Sequence, residues 1–321
     1  MKPITGTFLD EITWDIPSQN WGRKEWRKEF DTMKAAGIDT VIIIRCGLRN
    51  MMAYPSQATG IKDVPDLAQL FLDEARRCRI KLFFGCYDSG TLNYQFDNWK
   101  TDWAINQKVL PEILNRYGDH PAFCGWYLAQ ESCVCTEGTL EIYARISNRM
   151  KELSPQWPVL ISPYYPSSAY GNDTKEVRHK KFVGDWRRIF RAARAIDICA
   201  FQDGSCNFNA PGFPTSELDD YVREVHEILR EFKITMWNNV ETFGRDLPIK
   251  FPPIDWRILK HKMAIADPYA VKHITFEFSH FLSPNSMWPS ARMLYQRYRE
   301  EILGEKPRKG SARTNAPRRR S

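Results

Sequence analysis

Eight short apolar runs recur along the chain, each followed by a longer amphipathic stretch. The runs are ITGTFL (4–9), TVIIIRC (40–46), IKLFFGCY (80–87), AFCGWYLA (122–129), PVLISPY (158–164), IDICAFQ (196–202), ITMWNN (234–239) and VKHITFEF (271–278). Their length and their β-branched and aromatic content predict buried strands. The stretches between them, RKEWRKEFDTMKAAG, DLAQLFLDEARRC, TDWAINQKVLPEILNRYG, TLEIYARISNRMKEL, FVGDWRRIFRAARA, SELDDYVREVHEILREF, DWRILKHKMAIA and SARMLYQRYREEIL, carry helical periodicity. The first stops at Ala36-Gly37, a helix C-terminus signal.

Eight strand–helix units between residue 4 and about residue 304 imply a parallel sheet covered by helices. The count and the length match a single-domain α/β fold, the (β/α)8 barrel. An open doubly wound sheet is the competing fold. The glycine-rich phosphate turn it would need is missing, since TGTFLDE follows neither the dinucleotide fingerprint nor the P-loop pattern. Loops after helices are short (AGIDT, CRIKL, AIDI, EFKIT), whereas loops after strands are long and rich in Trp, Tyr, Asp, Glu and Asn. In a barrel the strand-to-helix loops build the active site, so this asymmetry picks out the working face.

Composition refines this picture in three places. The 321 residues carry 46 Lys+Arg against 39 Asp+Glu, a formal net charge of +7. Seven of the basic residues, and no acidic ones, fall between Lys306 and Ser321, so the remaining 39 basic residues balance the 39 acidic ones. The expected organisation is a neutral barrel over 1–305 and a basic, disordered, solvated tail over 306–321. The tail has no aromatic residue to stack on a base, which argues against a nucleic-acid partner. No apolar run reaches the roughly 18 residues of a membrane span. The eight cysteines are too scattered for a disulfide framework. MKPITGTFLDE has no signal core, so the expected location is the cytosol, or an exported compartment had a signal been removed.

The strand ends assemble a polar and aromatic set. The first contributes Asp10, Glu11 and Trp14, the second Arg45, the third Tyr87 and Asp88, and the fourth Trp126, Gln130 and Glu131. Tyr164 follows the fifth, Gln202 and Asp203 the sixth, Trp237, Asn239 and Glu241 the seventh, and Glu277 and His280 the eighth. Carboxylates and amides pair with sugar hydroxyls, while flat rings stack on the apolar faces of a sugar. The sharpest pair is Glu131 and Glu241, which could face each other across the mouth. Glycoside hydrolysis needs one carboxylic acid for the leaving oxygen and one carboxylate as nucleophile or base. A gap of about 5–5.5 Å means retention and about 6.5–9.5 Å inversion.

A carboxylate after strand four, another after strand seven, and a polar residue before the first resemble the clan of retaining (β/α)8 glycoside hydrolases. That resemblance implies Glu131 as acid/base and Glu241 as nucleophile. Gln130 stands where the clan has Asn. More closely, TGTFLDEITWDIPSQNWG, MKAAGIDTVII, GWYLAQE, WNNVETF and FEFSHFLSP resemble a bacterial family of glycoside-hydrolase-like barrels known as a domain of unknown function, over nearly all of 3–303. It implies the fold but no substrate.

Each residue also has a structural reading. A strand-end carboxylate can cap a helix or pair with an Arg; Glu277 rivals Glu241. Arg45 can hold a substrate carboxylate, tune Glu241, or only pair. Trp26, Trp99, Trp103 and Trp186 belong to helix packing, whereas Trp14, Trp126, Trp237 and Trp288 can stack on a substrate or lie in the core. Cys133-Val134-Cys135 lacks the zinc-site spacing, and the histidines show no metal motif, so neither a metal nor another cofactor is expected. The reading is a glycosidase with Glu131 and Glu241 as reacting groups and a carbohydrate or glycoconjugate as partner. A carbohydrate-binding barrel without catalysis, or another barrel lyase or metal-dependent hydrolase, is the alternative.

Overall fold

A computed structural model of the protein describes residues 1–13, 16–91, 98–165, 173–203, 215–244 and 251–305. Trp14 and the basic segment 306–321 lie outside the described residues. Eight parallel strands close into a barrel: β1 (Ile4–Leu9), β2 (Thr40–Ile43), β3 (Lys81–Gly85), β4 (Phe123–Leu128), β5 (Val159–Ile161), β6 (Ile198–Gln202), β7 (Thr235–Asn239) and β8 (Lys272–Thr275). Each pairs with its sequence neighbours, and β8 returns to β1. The helices are α1 (Arg23–Ala35), α2 (Leu67–Cys78), α3 (Trp99–Tyr117), α4 (Glu137–Leu153), α5 (Lys175–Ala192), α6 (Thr215–Phe232), α7 (Trp256–Ala266) and α8 (Pro289–Glu301). The eight expected units are therefore present in the expected order.

Local chemistry accounts for the boundaries. Helix α1 ends before Gly37, whose φ of +85° lies in the left-handed region where a side chain is strained. Helix α5 begins seven residues earlier than its apolar pattern, because Thr174 accepts the Val177 N–H and the polar turn KEVRHKK follows that cap. Pro111 is carried inside α3.

The strand ends differ more from the pattern. Apolar character runs on to residues 46, 164 and 278, but ladder pairing in β2, β5 and β8 stops at 43, 161 and 275. Past β2 and β3 the chain forms a small separate sheet, with Gly47–Leu48 flanked by Met51–Met52 and Tyr87–Asp88. A Cβ on Gly47 would overlap Met52 Sδ and the Tyr87 ring, so only glycine admits this close approach. Past β8 the chain turns into a π-helix, Phe278–Leu282, closed by Ser283 N–H donating to the Phe278 carbonyl at 2.6 Å. Such turns change which way successive side chains point, and this one carries His280.

Side chains fill the barrel in layers. Phe83 and Trp237 meet edge to face at 5.9 Å, and the Lys272 ammonium lies 5.0 Å from the Trp237 ring at the strands' N-terminal end. Gly125 makes room for Phe83, since a Cβ there would overlap its ring. Phe8 and Tyr127 pack at 5.1 Å, with Phe276 6.0 Å from Phe8. Outside the sheet, Trp26–Phe71 and Trp186–Phe201 each meet at 4.7 Å between barrel and helices or between helices. Aromatic pairs of this kind add about 0.5–1.5 kcal/mol each beyond their area burial.

Candidate active site

The strands deliver their polar residues just beyond the last paired position, where backbone ladder bonds give out and side chains take over. After β4 the order is Ala129, Gln130, Glu131. Glu131 presents a side chain 23% exposed, whereas those of Asp88 and Glu11 are 8% and 6% exposed, making it the accessible carboxylate of the three. Burial pushes the Glu131 carboxyl above its ordinary range. The Arg45 guanidinium, 3.8 Å away, and a hydrogen bond from Gln202 oppose the rise, and the charge of Asp88 adds to it. Arg45 itself is buried and holds Asp88 at 3.0 Å. One guanidinium thus serves two carboxylates from the β3 and β4 ends.

Glu241, two residues past β7, is buried. Its N–H donates to Asp203 Oδ1 at 2.9 Å, and its carbonyl accepts from Lys262 Nζ at 3.1 Å. Lys262 comes from α7, is fully buried, and pairs with Asp203 Oδ1 at 2.7 Å. Burial raises the Asp203 carboxyl and Lys262 opposes that rise.

A third group gathers where β8 meets β1. Glu277 is fully buried and its Oε1 binds His280 Nδ1; Oε2 makes no hydrogen bond among the described residues. Burial raises Glu277 to about 7, with His280 opposing. Burial alone would lower His280, but Glu277, Glu11 and Asp10 outweigh it and hold the imidazole at about 9. His280 Nε2 lies 3.2 Å from the Pro17 carbonyl and 3.9 Å from Glu11 Oε1. Glu11 is raised by burial and accepts from Ser18 at 2.5 Å. Asp10 Oδ1 accepts the N–H groups of Ile12 and Thr13, at 3.2 and 3.0 Å, so it braces its own loop.

Five residues expected to touch substrate are placed otherwise. Trp126 is fully buried behind β4, where its indole N–H donates to Ser154 Oγ at 2.6 Å and its ring meets Phe123. Trp237 lies on the barrel floor with Phe83 and Lys272, because β7 turns that position inward below the mouth. Gln130 is also buried. Its amide donates to the Tyr87 carbonyl at 2.7 Å and to Asp102 at 3.2 Å, and accepts from the Cys86 thiol at 3.2 Å. Asn239 ties strands together, donating to Ser162 Oγ at 3.1 Å and accepting the Phe276 N–H at 2.9 Å. The Tyr87 hydroxyl donates to the Arg49 carbonyl at 2.8 Å and so serves the small sheet. Tyr164 is half-buried, bridges to Gln202 and hydrogen-bonds Cys133. Cys133 and Cys135 form no disulfide with each other.

Lys262 and Glu29 escaped the strand-end reading because both sit on helices. The signal was there: Lys262 falls on the same helical face as buried Leu259, Met263 and Ala266, and Glu29 on that of Trp26, Phe30 and Met33. A charge on an apolar stripe needs a buried partner. Among the described residues no group of three His, Cys, Asp or Glu side chains could hold a metal ion, and no helix is long and apolar enough to cross a membrane.

The chain is similar to a candidate α-L-fucosidase from Bacteroides thetaiotaomicron VPI-5482. The two are 37% identical over 93% of this chain and 92% of that one, with a TM-score of 0.85. The endo-1,4-β-D-mannanase of Thermotoga petrophila RKU-1 shares the barrel at 12% identity and TM-score 0.60, over 93% and 99% of the two chains. So does the intracellular xylanase of Thermoanaerobacterium saccharolyticum, at 12% identity and TM-score 0.52, over 86% and 85%. No curated protein matches the sequence. The family model of the domain of unknown function DUF4434 matches residues 4–288, and the chain belongs to that family.

Proposed function

We propose that the protein is a retaining glycoside hydrolase, with Glu131 as acid/base and Glu241 as nucleophile, and that residues 1–305 form its catalytic barrel. The observation that carries this reading is the contrast between two carboxylates on one barrel face. Glu131, after β4, is accessible and biased toward its protonated form by burial, as an acid must be. Glu241, after β7, is buried and held through both its N–H and its carbonyl, as a positioned nucleophile requires. The likeness to the candidate fucosidase, and the glycosidases among the more distant barrels, support a carbohydrate or glycoconjugate substrate.

In the first step Glu131 would protonate the leaving oxygen while Glu241 attacks the anomeric carbon. In the second, Glu131 would take a proton from the water that releases the sugar. Arg45 keeps Glu131 from becoming too weak an acid, and Asp88 keeps Arg45 in place.

A panel of aryl glycosides and oligosaccharides, with proton NMR of the first-formed anomer, tests the proposal. A product of inverted configuration would overturn retention, and no turnover on any glycoside would overturn the activity. One observation favours a second reading in which Glu277 reacts in place of Glu241: its Oε2 has no hydrogen-bond partner among the described residues. Glu277→Gln against Glu241→Gln separates the two, because only the nucleophile's replacement leaves the enzyme inactive on the activated aryl glycoside.

A further inference from the structure

The bonds around Glu241 contain a regularity that its catalytic reading does not use. In the β6–β7 ladder, Thr235 N–H donates to the Asp197 carbonyl and Asp203 N–H to the Asn239 carbonyl. A parallel ladder repeats every two residues, so the next bond in the series would run from Glu241 N–H to the Asp203 carbonyl. It does not form. Glu241 N–H instead donates to the Asp203 side chain, Oδ1, at 2.9 Å. The Glu241 carbonyl accepts from Lys262 Nζ at 3.1 Å, and the same ammonium lies 2.7 Å from Asp203 Oδ1 and 3.5 Å from the Asp203 carbonyl. On the opposite side Val240 and Thr242 keep ordinary bonds, donating to the Ile274 and Phe276 carbonyls at 2.9 and 3.0 Å.

We infer that Lys262 and Asp203 are positioning residues for Glu241: a buried ion pair ties the Glu241 main chain, beyond the last paired residue of β7, to helix α7. Asp203 therefore acts through the Glu241 main chain and has no need to touch substrate. The arrangement suits a nucleophile. Glu241 lies two residues past the end of β7, and about an ångström of misplacement at a reacting group costs on the order of a hundredfold in rate. A water could satisfy the same Glu241 groups, but it would not be anchored to a helix behind the sheet. Lys262 belongs to α7, which packs on that sheet with its ammonium fully buried.

The bracing rests on the structure alone; its kinetic consequence rests on the proposed role of Glu241, and two readouts keep these apart. Amide hydrogen exchange is measured at residues 240–242 in the full chain, in wild type, Lys262→Met and Asp203→Asn. In Lys262→Met the Glu241 amide exchanges about tenfold faster or more, while Val240 and Thr242 remain protected by β8. Asp203→Asn keeps an acceptor for the Glu241 N–H but loses the ion pair, and gives the smaller change. Unchanged Glu241 exchange in both variants overturns the bracing, and equal acceleration at all three amides shows general loosening and also overturns it.

On the aryl glycoside that wild type hydrolyses, kcat of Lys262→Met falls at least about tenfold with KM within about threefold. Accelerated Glu241 exchange with an unchanged kcat overturns the positioning role. Should Glu241→Gln retain full activity, the nucleophile assignment fails instead, and the exchange result still decides the bracing. Lys262→Arg restores charge in a bulkier shape and recovers part of kcat if the pair, not the volume, is what matters.

Discussion

Arg45 lies 3.8 Å from Glu131 but 3.0 Å from Asp88, so the guanidinium is committed to the third strand's carboxylate and leans on the fourth's. For the proposed acid, that unequal division sets its strength. A tighter pair would hold Glu131 ionised, and the absence of any pair would leave it too weak an acid to give its proton to the leaving oxygen.

The pH profile should report this division. A general acid is lost as pH rises through its own pKa, so with Glu131 as the proposed acid the alkaline limb of kcat/KM follows it. The charge of Asp88 raises the Glu131 carboxyl. In Asp88→Asn that charge is gone and Arg45 can close on Glu131, so the limb moves to lower pH. A limb that stays where it was, or moves up, would assign it to another group.

Replacing the two glutamates should give unlike defects. Glu131→Gln loses about 10²–10⁴ in kcat/KM on substrates with poor leaving groups, the usual worth of general acid catalysis, and much less on an activated aryl glycoside. Glu241→Gln loses activity on both, since nucleophilic attack is needed whatever the leaving group. Thermal melting checks that each variant is folded. Equal losses on both leaving groups for Glu131→Gln would contradict the acid role.

The fate of the tryptophans gives another test. Trp126 reaches Ser154 through its indole N–H and Phe123 through its ring, and neither lies at the mouth. Trp126→Phe should therefore lower stability by about 1–3 kcal/mol, from a lost buried hydrogen bond and a cavity, with KM unchanged. Denaturant unfolding and Michaelis kinetics on the same preparation decide it. A raised KM with unaltered stability would return Trp126 to the substrate.

What could be read from the chain divides along physical lines. Apolar period and loop length are properties of single segments, and they foretold the barrel and the placing of Glu131 and Glu241 beyond their strands. Side-chain direction is different. Whether Trp237 turns inward below the mouth or Gln130 turns back to Tyr87 depends on register, and a register shift in the β3–β4 ladder, between Leu82 and Phe83, is invisible in either strand alone. The small sheet around Gly47 depends on a pairing with the distant Tyr87–Asp88, which no local pattern encodes. Lys262 and Glu29 were legible as charges on apolar helix faces, but their partners, on other elements, were not.

Glu29 supplies the last prediction, and it concerns stability. Its Oε2 accepts from Ser283 Oγ and Asn285 Nδ2, both at 2.8 Å, while Oε1 makes no hydrogen bond among the described residues. Burial raises Glu29 to about 7 from an ordinary 4.5, with the Asn285 and Ser283 donors opposing the rise. Between those values the folded chain binds a proton that the unfolded chain has released. Stability from this group is therefore complete below pH 4.5 and is lost as pH rises through 7, by about 3 kcal/mol in all. Glu29→Gln mimics the neutral form. Its melting temperature should match wild type near pH 4.5 and exceed it by several degrees at pH 8. The difference between the two chains isolates Glu29 from Glu277, Glu11 and His280, which titrate in both. A gap that does not change with pH would mean that Glu29 ionises as readily folded as unfolded, with its charge met by the Ser283 and Asn285 donors.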